Sequence, residues 1–478
     1  MSKGILQKRV EIQGLATAIL LPSAGVFGGP VGSEVGELGP LTNVVGIGLF
    51  QRTVLTLQRA GIRQLIVLSG PEEEQLKHSL AKGPRVTIPV RWMPIREFPI
   101  DDPRTWEALA AEVRGFALIA SINGVFSRGL IEQLRKDVRD GHAIVVAQPR
   151  PQPDELPTSS GVRVKIPYPG LTAMASDRLD ESTLLVAELL VVPASLMNAA
   201  NVGTYQKGST PVRQWIEQVA GDGRLHVVTA EEKRGTWYQP VRTSEDVGKA
   251  EQKLFNSLKG DFEGFVDRYF NRKVSRGFTR LFLELGLSPN SITVLAGLIG
   301  LVAAAGFGLG TYSAGILAAL LFQLAAVIDC CDGEVARLTF TESPFGAWLD
   351  IALDNLVHMA IFAGIAIGLY TAQIGQEDDW VPLALGGAAV LGNGISFLLV
   401  EKAQKIKSSV GWRTPAHAAW ATVMLKNVAS RDFSVSLIGF ALFGQLFWFL
   451  LFAAIGSLLF ACAMVWVIRP SAVALPRL

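Results

Sequence analysis

The sequence predicts two fold classes in one chain: an α/β soluble domain over residues 1–250, then an all-α domain of six transmembrane helices over 290–470. Two observations carry this. Short apolar strands alternate with amphipathic helical segments through the first half, the pattern of an α/β sheet domain. Nearly all the uninterrupted apolar runs follow residue 290, and a helix crosses the hydrocarbon core with about 20 such residues. The whole composition agrees, with 49% hydrophobic and 18% charged residues and a mean hydropathy of +0.34. That is too apolar for a wholly soluble protein of this length. A net charge of +2 argues against a nucleic-acid partner. Three cysteines, two of them adjacent (Cys330, Cys331), make no disulfide framework.

In the first half Thr17–Leu21, Gln64–Leu68, Ala117–Ser121, Ala143–Ala147 and His226–Thr229 read as strands. Leu49–Ala60 and Ser127–Asp140 read as amphipathic helices, and the four prolines of Pro149–Ser160 as a loop. Lys8 and Arg9 before an apolar run have the outline of a signal peptide, but Ala16–Pro22 reads better as a buried first strand entering the Gly-rich stretch Gly25–Gly39.

Residues 251–289 form a junction, predicted as a basic amphipathic juxtamembrane helix. Phe265, Tyr269, Phe270, Phe278, Leu281 and Phe282 alternate there with Arg268, Arg272, Lys273, Arg276 and Arg280, suiting a helix in the headgroup layer. Ser288-Pro289-Asn290 supplies the turn and cap of the first crossing. The apolar runs are Ser291–Leu309, Ser313–Ile328, Ala347–Leu369, Val381–Val400 and Phe433–Val467, the last long enough to cross twice with a break near Gly444–Trp448. The Thr371–Trp380 loop has no Lys or Arg and carries Glu377, Asp378 and Asp379. Arg337, the junction, and Lys402, Lys405, Lys407, Arg413, Lys426 and Arg431 lie on the opposite side. The positive-inside rule therefore predicts an integral membrane protein with its soluble domain, acidic cluster and 471–478 tail in the cytoplasm.

The acidic cluster is the chemical centre of the chain. Asp329, Asp332, Asp350 and Asp354 sit within or beside apolar runs, where an unpaired charge costs several kcal/mol. Spacings of three and four put each pair on one face of a helix. Four carboxylates at one spot would not all ionise unless divalent cations neutralised them. Their hard oxygens suit Mg²⁺, Mn²⁺ or Ca²⁺. Helix capping with a salt bridge to Arg337 is the structural alternative, but one arginine cannot balance four acids. Cation transport is the other class of function; beyond His358 the third helix is apolar, which argues against it.

Asp329-x-x-Asp332-Gly333-x-x-Ala336-Arg337, followed by Gly346-x-x-x-Asp350-x-x-x-Asp354, resembles without substitution the signature of the CDP-alcohol phosphotransferases. Ser288-Pro289-Asn290-x-x-Thr293 and Arg431-Asp432-Phe433 are similar to that family too. The resemblance implies transfer of a substituted phosphoryl group from a CDP-alcohol to an acceptor hydroxyl with release of CMP. It implies two Mg²⁺ or Mn²⁺ ions on Asp329, Asp332 and Asp350, with Asp354 completing the metal shell or accepting the hydroxyl proton. Gly333, Ala336, Arg337 and Gly346 would meet the CDP moiety. Asn290 and Thr293 are further candidates for that contact, or plain caps. Lys402, Lys405, Lys407 and Arg413 would capture an anionic acceptor such as a polyol phosphate, or anchor the chain at the membrane. His358 would orient Asp354 or pack in the core; Asn393 and Glu401 would face the site or serve packing. A homodimer is expected.

The first half resembles the nucleotidyltransferases that activate sugars and sugar-like alcohols. Leu21-Pro-Ser-Ala-Gly25-Val-Phe-Gly-Gly29, Pro40-Leu41, Gln58-Arg-Ala-Gly61-Ile62 and Trp237–Asp246 carry that likeness. Such a domain ahead of a CDP-alcohol phosphotransferase is the arrangement of enzymes that make inositol phosphodiesters from CDP-inositol. The chemistry of that family is missing here. Gly39 stands where a Lys is expected, no Arg lies between Gly25 and Gly39, and Asn123 and Arg242 replace the metal-binding carboxylates. The domain is therefore expected to be inactive, a scaffold or a regulatory pocket, with a bifunctional enzyme as the alternative.

Overall fold

A computed structural model describes residues 14–22, 38–82, 86–139, 141–149, 184–197, 211–258, 272–373, 380–409 and 432–468. Residues 23–37 of the Gly-rich stretch, the proline loop beyond Pro149, Phe265–Phe270, the acidic residues 377–379, Arg413, Lys426, Arg431 and the 471–478 tail lie outside the described residues. The chain divides into two compact units, Met1–Ser257 and Leu258–Leu478.

The first unit runs β1 (Thr17–Leu21), β2 (Asn43–Val44), β3 (Ile47–Gly48), α1 (Leu49–Arg59), β4 (Gln64–Ser69), α2 (Glu73–Ala81), β5 (Val90–Pro94) and α3 (Pro103–Glu112). It continues with β6 (Phe116–Ser121), β7 (Gly124–Phe126), α4 (Arg128–Asp137), β8 (Ala143–Pro149), β9 (Leu184–Pro193), α5 (Pro211–Gly221), β10 (Leu225–Thr229), β11 (Tyr238–Pro240) and α6 (Ser244–Ser257). Seven strands make one sheet in the order β10-β8-β9-β6-β1-β4-β5. All neighbours are parallel except β9, which runs against both β6 and β8. β1 and β6 are buried along their whole length, as continuous apolar strands of a covered parallel sheet must be. One face packs under α1 and α4 through Phe50, Leu57 and Leu134. The other packs under α3 and α5, where Trp106 and Trp215 meet edge to face at 4.8 Å. Ser127 caps α4 by accepting the Leu130 N–H.

The second unit holds α7 (Arg272–Glu284), α8 (Pro289–Gly308), α9 (Tyr312–Thr339), α10 (Pro344–Gln373), α11 (Val381–Ser409), α12 (Asp432–Leu442) and α13 (Leu446–Ile468). Five helices, α8 to α11 and α13, are long and apolar enough to cross a membrane, and α12 is a shorter apolar helix. The expected fifth crossing is thus, among the described residues, an eleven-residue helix, ended by the turn at Gly444 with φ +67°. Glycine sets how closely these helices pack. A Cβ on Gly364 or Gly368 would strike the carbonyl oxygen of Ala304 or Phe307, so α10 lies directly on the backbone of α8. Ser288 caps α8 with Pro289 at its first position. Phe340, at φ 60°, ends α9. α7 does not rest on lipid all round; Ser275, Thr279 and Phe282 are buried, and the helix packs on α9 beside Ile328, Cys331 and Val335.

Candidate active site

α8 packs on both acid-bearing helices, α9 and α10. Asp329 and Asp332 come from the last turns of α9, Asp350 from the second turn of α10. Carboxylate oxygens of these three lie within 4.8 Å of one another. Asp329 and Asp332 are 6% and 7% exposed, and Asp350 is half-buried. Asp354, one turn further along α10 and half-buried, is not in that group. Three hard oxygen donors converging where water is scarce fit a divalent cation, and fit a soft metal poorly.

Thr293 of α8, a candidate nucleotide contact, donates its hydroxyl to Asp332. The Gly333 N–H donates to the other Asp332 oxygen. Both oxygens are thereby oriented, as a ligating carboxylate needs. Asn290 lies beside Gly346, where a Cβ would come 3.0 Å from the amide oxygen. Arg337, exposed at the end of α9, folds back over Gly333, where a Cβ would sit 3.0 Å from its guanidinium. Glycine at 333 and 346 therefore serves as clearance for Arg337 and Asn290. Ala336 is half-buried on the same turn.

The remaining candidates scatter. Lys402 is exposed on α11; Lys405 and Lys407 lie on the same helix, and their side chains, like that of Glu401, lie outside the described residues. His358 packs its ring edge-on against Phe322 and Phe433 at 5.9 and 5.4 Å. Asn393 donates to Asn355 at 3.4 Å, tying α11 to α10, and lines a cavity of about 380 Å³ with Phe362, Phe433, Phe449 and Ser457. One buried acid escaped the sequence reading. Glu334, 3% exposed, accepts hydrogen bonds from Ser275 at 3.1 Å and Thr279 at 2.7 Å on α7. Its only signal in the sequence was a carboxylate inside the acidic motif with no basic residue a turn away other than Arg337.

In the first unit the connection order reverses at β1, whose neighbours are β4 and β6. In an open α/β sheet such a point opens a crevice at the carboxyl ends of the strands. Asn123, just past β6, donates to the Leu38 carbonyl at 3.3 Å, and Leu38 N–H donates to Arg242 O at 3.0 Å. The Arg242 guanidinium is ion-paired with Glu188 of β9. The Arg242 and Thr243 N–H groups both donate to Asp246. Burial pushes the Tyr238 hydroxyl well above its ordinary value, and neighbouring Glu188 adds to the rise.

Residues 287–469 match the CDP-alcohol phosphatidyltransferase family, a span that takes in the triad, Thr293 and Arg337. The membrane half is a CDP-alcohol phosphatidyltransferase domain. The chain is accordingly an integral membrane enzyme of the CDP-alcohol phosphotransferase kind. A "Bifunctional IPC transferase and DIPP synthase" of Rubrobacter xylanophilus is 28% identical over 373 residues, 75% of this chain and 78% of that protein. That alignment is too long to be confined to the phosphatidyltransferase domain and reaches into the first unit. An "Archaetidylinositol phosphate synthase" of Pyrococcus horikoshii is 39% identical over 85 residues, 18% of this chain and 44% of that one. The solved inositol-1-phosphate CTP transferase of T. maritima aligns with 52% of this chain and 98% of its own, at 12% identity and a TM-score of 0.36.

Proposed function

We propose that the chain transfers a substituted phosphoryl group from a CDP-linked donor to an inositol-type polyol or polyol phosphate, releasing CMP, with Mg²⁺ or Mn²⁺. The observation that carries this is the convergence of Asp329, Asp332 and Asp350, on two long apolar helices, within 4.8 Å of one another. In this reading those three aspartates hold two cations, which supply charge neutralisation of the diphosphate. Thr293 keeps Asp332 turned toward the site. Arg337, free to swing over Gly333, grips a phosphate with its planar fork. Asp354, one turn from Asp350, takes the proton of the acceptor hydroxyl as its oxygen bonds to phosphorus. The phosphorus–oxygen bond to CMP breaks in the same displacement, and CMP leaves with the bridging oxygen. Lys402, Lys405, Lys407 and Arg413 draw an anionic acceptor to this face. The charge asymmetry of the loops favours the site and the soluble domain in the cytoplasm with six crossings, α12 belonging to the fifth. The enzyme acts as a homodimer. The domains in this reading are 1–250, 251–289, 290–470 and 471–478.

A second reading, in which the soluble domain also makes the donor from CTP, is favoured by the alignment with a relative named bifunctional across both halves. Against it stand the residues at the crevice. The cation there, Arg242, is committed to Glu188, an amide occupies position 123, and residues 22–39 contain Glu34 and Glu37 but no Lys or Arg. A nucleotidyltransferase-like scaffold that takes its donor from another enzyme fits these residues better.

The test is purified full-length protein with CDP-diacylglycerol or CDP-inositol, a panel of polyol acceptors and Mg²⁺ or Mn²⁺, following CMP. Release of CMP that depends on acceptor and metal supports the reading; its absence with every pair refutes it. Pyrophosphate release from CTP and inositol phosphate would establish the bifunctional reading instead.

A further inference from the structure

Glu334 stands on the same helix as two triad members but points elsewhere. At 100° per residue it lies about 200° around α9 from Asp332 and about 140° from Asp329, on the far side from both. There it meets α7. Ser275 and Thr279, one turn apart on α7 and both 0% exposed, donate one to each Glu334 oxygen, at 3.1 and 2.7 Å. Cys331, a turn before Glu334, donates its thiol to the Ser275 carbonyl at 3.5 Å. Phe282, Ile328 and Val335 close the apolar margin. A buried carboxylate with two dedicated hydroxyls is expensive to leave unmade, and this one fixes how α9 is turned.

We propose that Glu334 is a positioning residue for the transfer reaction: clamped to Ser275 and Thr279, it sets the rotation of α9 and so aims Asp329 and Asp332 at Asp350. Helix α7 thereby takes part in the site without contributing a ligand to it. A twist of α9 by even a tenth of a turn would swing both carboxylates sideways while Asp350, on α10, stayed in place. The mutual distance of the triad depends on the clamp. The inference rests on the triad's reading as the metal site.

The experiment uses the full chain in detergent, Mn²⁺ binding followed by electron paramagnetic resonance, and thermal melting to confirm folding. E334A is expected to bind Mn²⁺ about tenfold more weakly than the parent, the size of effect that partners of metal ligands show. E334Q, whose amide can still engage both hydroxyls, should stay within about threefold. S275A/T279V should match E334A, and the triple variant should be no weaker than E334A alone, since all three changes open one clamp. Should E334A not fold, S275A/T279V carries the same expectation with Glu334 in place. A folded E334A or S275A/T279V that binds Mn²⁺ within twofold of the parent overturns the proposal. D329N separates the two layers. If D329N loses Mn²⁺ while the clamp variants keep it, only the clamp is wrong; if D329N also keeps it, the triad is not the metal site.

Discussion

Removing the Thr293 hydroxyl is the most direct probe of how the site is held, because the residue touches the acid and has a near-isosteric replacement. Thr293 is 3% exposed and donates to Asp332 across from α8 to α9. In Thr293→Val the volume is kept and one buried hydrogen bond to a carboxylate is lost. Such a bond contributes about 1.5–3 kcal/mol, which at 1.4 kcal/mol per tenfold corresponds to roughly 10- to 150-fold in metal affinity. The 10- to 100-fold range known for partners of metal ligands, about the same interval, is reached independently.

The assay is Mn²⁺ titration of purified protein together with CMP release at saturating donor. Thr293→Ser retains the hydroxyl and should stay near the parent. If T293V binds Mn²⁺ and turns over like the parent, Asp332 does not need its α8 partner, and the argument that α8 orders the site is wrong. If T293S falls while T293V, which keeps the methyl, does not, the methyl packing matters and the hydrogen bond does not.

Three further outcomes follow from the same geometry. Asp350→Asn leaves the triad with two carboxylates and should cut CMP release by roughly two orders of magnitude or more, several kcal/mol of charge stabilisation; excess Mn²⁺ should restore part of it. Gly364→Ala drives a methyl into the Ala304 carbonyl and should destabilise the membrane half by about 1–3 kcal/mol, read as a lower melting temperature in detergent, whereas Gly387→Ala, with nothing within 4 Å, should leave it unchanged. Arg242→Met strips Glu188 of its partner; the side chains are 22% and 11% exposed, so a loss of about 2–3 kcal/mol is expected, the low end for a buried pair, measured by urea unfolding followed by tryptophan fluorescence, with much of it regained in the Arg242→Met/Glu188→Leu double variant.

What the sequence made legible, and what it hid, divides by the range of the interaction. The acidic triad could be read because spacing along each helix and an apolar context are local facts, and four acids in such a context demand an explanation. Thr293 looked like a cap or a nucleotide contact; its partner Asp332 is 39 residues away, and only the packing of α8 on α9 reveals it. β9 was missed for a related reason. Leu184–Pro193 is apolar throughout apart from Glu188, a pattern that suits helix or strand. Its antiparallel insertion between β6 and β8 is a tertiary outcome. Once β9 is in place, Glu188 lies within reach of Arg242, and a residue that looked like a defect in a metal site becomes half of an ion pair. The basic junction was legible as amphipathic, but which face turns inward was not. Arg276 and Arg280 suggested a helix floating on headgroups, while Ser275 and Thr279, unremarkable in sequence, are its wholly buried face.

A site that gathers three acids must also be stable before any cation arrives, and the fold shows where that stability comes from. Two ionised carboxylates with oxygens within 4.8 Å of each other repel by roughly 3.5 kcal/mol or more at an effective dielectric of 20, and partial protonation relieves some of this. Arg337 is an exposed cation at the acidic end. Further along the same helices Gly364 and Gly368 seat α10 on the Ala304 and Phe307 carbonyls, packing that adds stability independent of charge. Asp329→Asn should therefore melt about as high as the parent or higher in chelator, by on the order of 1–3 kcal/mol of relieved repulsion. With saturating Mn²⁺ the order should invert, because a ligand stabilises only the form that binds it. Melting curves of both proteins with chelator and with Mn²⁺ decide the matter. If the parent is the more stable under both conditions, the three acids are not in electrostatic conflict, and hydrogen bonds such as Thr293 to Asp332, instead of the metal, are what hold them together.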